Sequence, residues 1–168
     1  VCIMMIQGGS NVWVALLCAF LAGMLAGFAT GLFHTFMGIP AILAGILTQL
    51  GLYSVNLKIM GKSNQAINVD KFDLLVSLRY IKNVAIYKNT ILIVAVLIIL
   101  LVAVLYWFFG PELGCSLRAT GCNDKMARAQ GINTDFNRVL GLMISNGLVA
   151  FSGALLGQYQ GFSDINMG

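Results

Sequence analysis

"LRATGCNDKMARAQGINTD", residues 117–135, holds charges of both signs and two glycines between two runs that are almost pure hydrocarbon. Asn123 suits a helix N-cap, Asp124 places a negative charge in the first turn, and Gly131 suits the left-handed residue past a helix end. Together they predict a helix of about two turns over 124–130. Asn133 or Thr134 can cap the next helix, with Asp135 in its first turn. A helix this short is marginal alone in water and needs something to dock against. It offers Lys125, Met126, Arg128 and Gln130 for that purpose. Spacing alone leaves two readings open: docking on a partner, or a capped surface loop packed on its own bundle.

The flanking runs set the fold class. Hydrophobic residues make up 59% of the chain and charged residues 10%, whereas a soluble domain carries roughly 25% charged residues. Glycine is raised to 19 of 168 residues, as in transmembrane helices. The chain is therefore expected to be all-α, a polytopic transmembrane helical bundle. Its net charge of +4 is modest, and the basic residues sit in polar connections where lipid headgroups lie. No basic cluster interleaves with aromatics, so nucleic acid is not an expected partner. Cys2, Cys18, Cys115 and Cys122 show no paired spacing, and neither a disulfide framework nor a metal site is expected.

Four spans are predicted. Residues 12–37 form the first, and within it Ala15, Ala19, Gly23, Gly27 and Gly31 recur every four residues. In lipid such a face lets another helix backbone approach closely, so this is a packing stripe. Gly38 and Pro40 break and restart the helix. Residues 39–57 are apolar but carry Thr48, Gln49 and Tyr53, and a perpendicular crossing needs about 20 residues, so this span is expected to be short, tilted or broken. Residues 91–109 are nineteen in number without a charge, and they end in a belt of Tyr106, Trp107, Phe108 and Phe109. The last span covers 139–158, with Gly141, Ser145, Gly153 and Gly157 as a second small-residue face. Asn146 lies inside it, suited to an interhelical hydrogen bond or, alternatively, to a solute contact. Lone His34, near a helix end, is expected to be structural. Between the second and third spans, Leu74, Leu78, Ile81 and Ala85 follow helical spacing and predict an interfacial amphipathic helix.

"LRATGCNDKMARAQGIN" and the later "SGALLGQYQG" resemble the permease subunits of bacterial ABC importers, in the ribose and branched-chain amino-acid group. Their cytoplasmic pattern reads G-x-N-P-x-A-A-x-x-x-G-I, matched here by Gly121, Asn123, Ala127, Gly131 and Ile132. The chain departs from it at Asp124, where Pro is usual, and at Met126, where Ala is usual. "GFATGLFHTFMGIPAILAGILTQLGLYSVNLKIMG" resembles the second and third spans of the group, within which the tryptophan/tyrosine or uncharacterised-solute branch is the most similar. The resemblance implies one permease domain over 1–168, part of a longer permease, in a multi-pass arrangement in the bacterial plasma (inner) membrane. It implies that the loop 111–138 carries a short cytoplasmic coupling helix. Gly121, Asn123, Asp124, Lys125, Met126, Ala127, Arg128, Gln130, Gly131 and Ile132 would then contact a separate ABC ATPase. A second permease copy (identical or a paralogue) and an extracytoplasmic solute-binding protein complete the implied assembly. ATP and magnesium would bind the partner, since this chain has no G-x-x-x-x-G-K-[ST] loop and is not expected to be an enzyme. Thr48, Gln49, Tyr53 and Asn146 are the candidate solute path.

Charge distribution points the other way on orientation. Lys58, Lys62, Lys71, Arg79, Lys82 and Lys88 outnumber Arg118, Lys125, Arg128 and Arg138 across the span between them. The positive-inside rule thus leans toward 58–90 as cytoplasmic, against the motif. The alternatives are a secondary transporter or a channel-like protein. The first needs an ion-coupling site, yet Glu112 and Asp70, Asp73, Asp124, Asp135 and Asp164 all lie outside the apolar runs. A channel is expected to show polar or charged pore rings.

Overall fold

The four-residue stripe dictates the central packing. Helix α2 (Val12–Thr35) buries Ala15, Ala19, Gly23, Gly27 and Gly31, and packs along α7 (Thr134–Gln160). Gly23 faces Asn146, Gly147 and Ala150, Gly27 faces Leu142 and Met143, and Gly31 faces Val139. Ascending numbers on one helix meet descending numbers on the other, so the pair is antiparallel. A Cβ at Gly23 would sit 2.6 Å from the Asn146 carbonyl oxygen, so only glycine permits this approach. Gly147 returns the relation by admitting Phe20 and Met24. The small-residue face predicted on α7 holds in part: Gly141 packs on Leu117 and Gly157 on Ile3, but Ser145 is exposed and a side chain at Gly153 would meet nothing within 4 Å. The face that meets the α2 stripe is Val139, Gly147, Ala150 and Ala154.

This computed structural model describes residues 2–61, 64–66 and 90–164. A short helix, α1 (Cys2–Gln7), covers the α2–α7 pair at the start of α2, where Ile6, Ala15, Leu16, Ala19 and Ala154 form a buried cluster. Helix α3 (Ala41–Met60) is one unbroken helix of 20 residues, not the short or broken span expected. Pro40 starts it, Gly61 stops it at φ 65°, and Lys58 lies in its last turn. A lysine at a helix end can extend its charge to the interface, which lets a span run past its apolar segment. The α2–α3 connection is fixed by the His34 ring Nδ1, 2.9 Å from the Ile39 carbonyl oxygen. Deeper in, the Thr30 hydroxyl donates to Thr48 Oγ1 at 2.9 Å, and Thr48 donates to the Ala44 carbonyl.

Helix α4 (Thr90–Phe109) ends in an elbow rather than a loop. The chain turns by 83° between Val94–Phe109 and α5 (Glu112–Cys122). Three residues build the turn. Pro111 starts α5, Gly114 leaves room where any Cβ would overlap the Phe109 backbone, and Arg118 donates to the Phe109 carbonyl at 2.9 Å. That carbonyl is one of the orphan acceptors at a helix C-terminus, where a cation also suits the helix dipole. Helices α2, α3 and α7 are long and apolar enough to cross a membrane, and the bent α4–α5 pair makes a fourth if taken as one span.

A three-residue ribbon joins β1 (Asn64–Ala66) to β2 (Phe162–Asp164), antiparallel with Gln65 opposite Ser163. These strands follow the ends of α3 and α7, so they lie at the end of the bundle opposite the start of α7 and the 117–135 segment. Residues 64–66 and 123–131 thus occupy opposite ends, as the single span between them requires. The predicted amphipathic helix around Leu74, Leu78, Ile81 and Ala85 lies outside the described residues.

Candidate functional site

The short helix α6 (Asp124–Ala129) forms where its caps predict. Asn123 Oδ1 accepts from the Met126 N–H at 3.1 Å. At its far end the Ile132 N–H reaches the Ala127 carbonyl and the Gly131 N–H the Arg128 carbonyl, with Gly131 at φ 83°. That double bond pattern around a left-handed glycine is the Schellman stop. The next cap is Asn133, whose Oδ1 accepts from the Phe136 N–H at 3.1 Å to begin α7.

α6 is seated on its own chain. Ala127 is only 2% exposed. Arg138 reaches back to Asp124 Oδ2 at 2.6 Å, and Arg128 donates through NH2 to Asp135 Oδ1 at 3.0 Å. Arg128 also points Nε and NH2 at the Thr134 hydroxyl, 3.2 and 2.8 Å away. Beneath it, α5 is fixed to α7 by a buried bond from Asn137 Nδ2 to Thr120 Oγ1 at 3.1 Å, and by Leu117 against Gly141. Gly114, Leu117 and Thr120 therefore form the inward face of α5.

Three residues of the short helix are placed differently. Ala127 is buried, while Asp124 and Arg128 are bonded within the chain, with the Arg128 side chain still 59% exposed. Lys125, Met126 and Gln130 remain exposed, Met126 to 59%. Gly121, Asn123 and Gly131 are exposed too, while Ile132 is half-buried. Sequence reasoning missed Thr134, Asp135, Asn137 and Arg138 as the seat, and Phe136, which is 54% exposed beside the Asn133 cap. The available signal was the Asp135–Arg138 spacing of three, which puts the two charges on one helical face.

The candidate solute-path residues do not converge. Thr48 is used by Thr30, and Asn146 donates to the Leu142 carbonyl of its own helix at 2.9 Å rather than across helices. Gln49 and Tyr53 are exposed on α3, which buries only Ala44 and packs mainly on α2. Asn56, three residues beyond Tyr53, falls on the same face. A cleft between α4 and α7 is walled by hydrocarbon, including Leu101, Leu148 and Phe151, apart from Ser152 and Tyr159.

Several long apolar helices around a glycine-packed pair, with one short polar helix at an end, define a polytopic membrane protein. All of residues 1–168 match the family described as branched-chain amino acid transport system permease components, and the chain belongs to that family. It is a multi-pass inner-membrane protein. It is 40% identical over 163 residues to a tyrosine transport system permease protein of Clostridioides difficile, covering 97% of this chain and 52% of that one. An uncharacterized protein of Rickettsia prowazekii is 39% identical over 157 residues, covering 92% and 52%. The autoinducer 2 import system permease protein LsrC of Yersinia pestis is 30% identical over 162 residues, covering 95% and 43%. The chain spans about half the length of the curated relatives it matches. No solved structure matches it.

Proposed function

We propose that this chain forms the solute pathway of an ABC importer and carries the helix that couples it to a separate ATPase. The observation that carries the reading is α6: a capped helix of 6 residues, with Ala127 buried, Asp124 and Arg128 bonded to α7, and Lys125, Met126 and Gln130 presented outward. Closure of the ATPase on ATP and magnesium would push this helix. Because α6 and α5 are both bonded to α7, and α7 is locked to α2, the push would move those helices together. A second permease copy would complete the pathway, and a solute-binding protein would deliver the solute at the end that carries the β-ribbon. The solute is a small one, amino acid or sugar-like, and the relative named for tyrosine transport favours an amino acid. Gln49 and Tyr53 are the path residues left without a bonded role among the described residues.

The test is reconstitution of the full-length permease with its ATPase. Met126→Asp with Lys125→Glu removes the exposed anchor and reverses its charge. A buried interface anchor costs about 2 kcal/mol when removed, roughly thirtyfold in Kd. Loss of ATPase affinity on that scale, with normal detergent stability, is expected. Unchanged affinity would refute the coupling role. In the same system Gln49→Leu with Tyr53→Leu should lower uptake while leaving ATPase recovery intact, and wild-type uptake would remove that face from the path.

A further inference from the structure

We propose that Asp124, Arg128, Asp135 and Arg138 form a clasp that fixes the axis of α6 on α7, so that α6 transmits a push instead of pivoting. The inference rests on the coupling role proposed above and names the residues that position the helix for it. α6 has 6 residues, too few to hold a direction by its own hydrogen bonds. Ala127 is the one residue it buries, and a single buried methyl group does not fix a direction. The charged residues supply the ties that do. Asp124, the first residue of α6, pairs with Arg138 at 2.6 Å. Arg128, in its last turn, reaches Thr134 and Asp135 in the first turn of α7, at 2.8 and 3.0 Å. Arg138 also lies 4.0 Å from Asp135, which closes the alternating chain of charges.

Both ends of α6 are thus tied to the first five residues of α7. The chemistry suits geometry more than stability. These side chains are 32% to 59% exposed, and exposed ion pairs add little to folding. A guanidinium that binds two acceptors at once, however, fixes orientation because its donors form a rigid planar fork. Asp124 stands where the resembling pattern carries Pro. Proline at the first helical position pre-sets the backbone there; in this chain an ion pair to α7 holds the same position.

The experiment measures solute imported per ATP hydrolysed, and affinity for the ATPase, in proteoliposomes holding the full-length permease, ATPase and binding protein. Arg138→Gln and Arg128→Gln should change ATPase affinity by no more than about twofold, as for substitutions outside an interface. Solute per ATP should fall by about threefold or more, the scale of coupling between contacting charged groups. Arg128→Lys, which keeps the charge but loses the fork, should also lower the ratio. Asp124→Arg combined with Arg138→Asp should recover it. An unchanged ratio in both Gln variants would overturn the clasp. A parallel loss of ATPase affinity would overturn it too, by making these residues direct contacts. If Met126 and Lys125 variants lose affinity while the Gln variants behave as wild type, the clasp alone fails; unchanged affinity in the former refutes the coupling role itself.

Discussion

Gly27→Leu should prevent recovery of a stable permease from detergent. A Cβ at Gly27 would overlap the Leu142 carbonyl oxygen and lie 2.8 Å from Met143 Cα. Both are backbone atoms of α7, so no rotamer change relieves the clash, and leucine adds three more carbons beyond the Cβ. Overpacking typically costs about 1–3 kcal/mol and occasionally more. Here the cost belongs at the top of that range, because α2 and α7 share the longest helix interface of the fold and in lipid little but close packing holds them. Gly153→Leu is the matched control. A side chain there meets nothing within 4 Å, and the change should stay within about 0.5 kcal/mol. Equal thermal stability of the two variants in detergent would show that the α2 stripe does not pack on α7.

Ala127→Arg should release α6 from the bundle. The methyl group is 2% exposed, and Arg128 and Arg138 already supply positive charge around the seat. An arginine forced inward would be an unpaired cation, costing about 3 kcal/mol or more; turned outward it lifts the helix off the bundle. Either result opens residues 123–131 to proteolysis and, under the proposed coupling role, removes ATPase binding with it. Gln130→Arg, at an exposed position of the same segment, should leave the protease pattern unchanged. Resistance of Ala127→Arg to the protease would mean that Ala127 faces a partner after all, as the family pattern alone suggested.

These two positions show where sequence reasoning ran well and where it ran out. Gly27 was legible because a four-residue repeat of small side chains has one physical use in lipid. The caps of α6 were legible too, since Asn123 and Gly131 act on backbone groups within a few residues. Ala127 was not, because a helix of 6 residues has no periodic face long enough to separate inside from outside. The elbow at Gly114 escaped notice for a related reason. Glycines at 114 and 121 argue against a helix by propensity, and α5 exists because Leu117 and Thr120 find Gly141 and Asn137 about twenty residues away in sequence. The β1–β2 pairing is longer-ranged still and only three residues wide. The unbroken α3 was obscured by its own polar residues, which shortened the apparent span although the backbone runs on to Met60. The binding of Arg128 and Asp124 to α7 had no local signature beyond charge spacing.

Orientation and coupling can be read together by placing a photoreactive amino acid at one end of the bundle or the other. Position 126 in α6 and position 162 in β2 are both exposed and lie at opposite ends. In membranes containing the full-length permease with the ATPase and binding protein proposed for it, irradiation at position 126 should yield an adduct with the ATPase. Irradiation at position 162 should yield none. An ATPase adduct from position 162, or its absence from position 126, would place α6 on the wrong side of the membrane and contradict its role as the coupling helix.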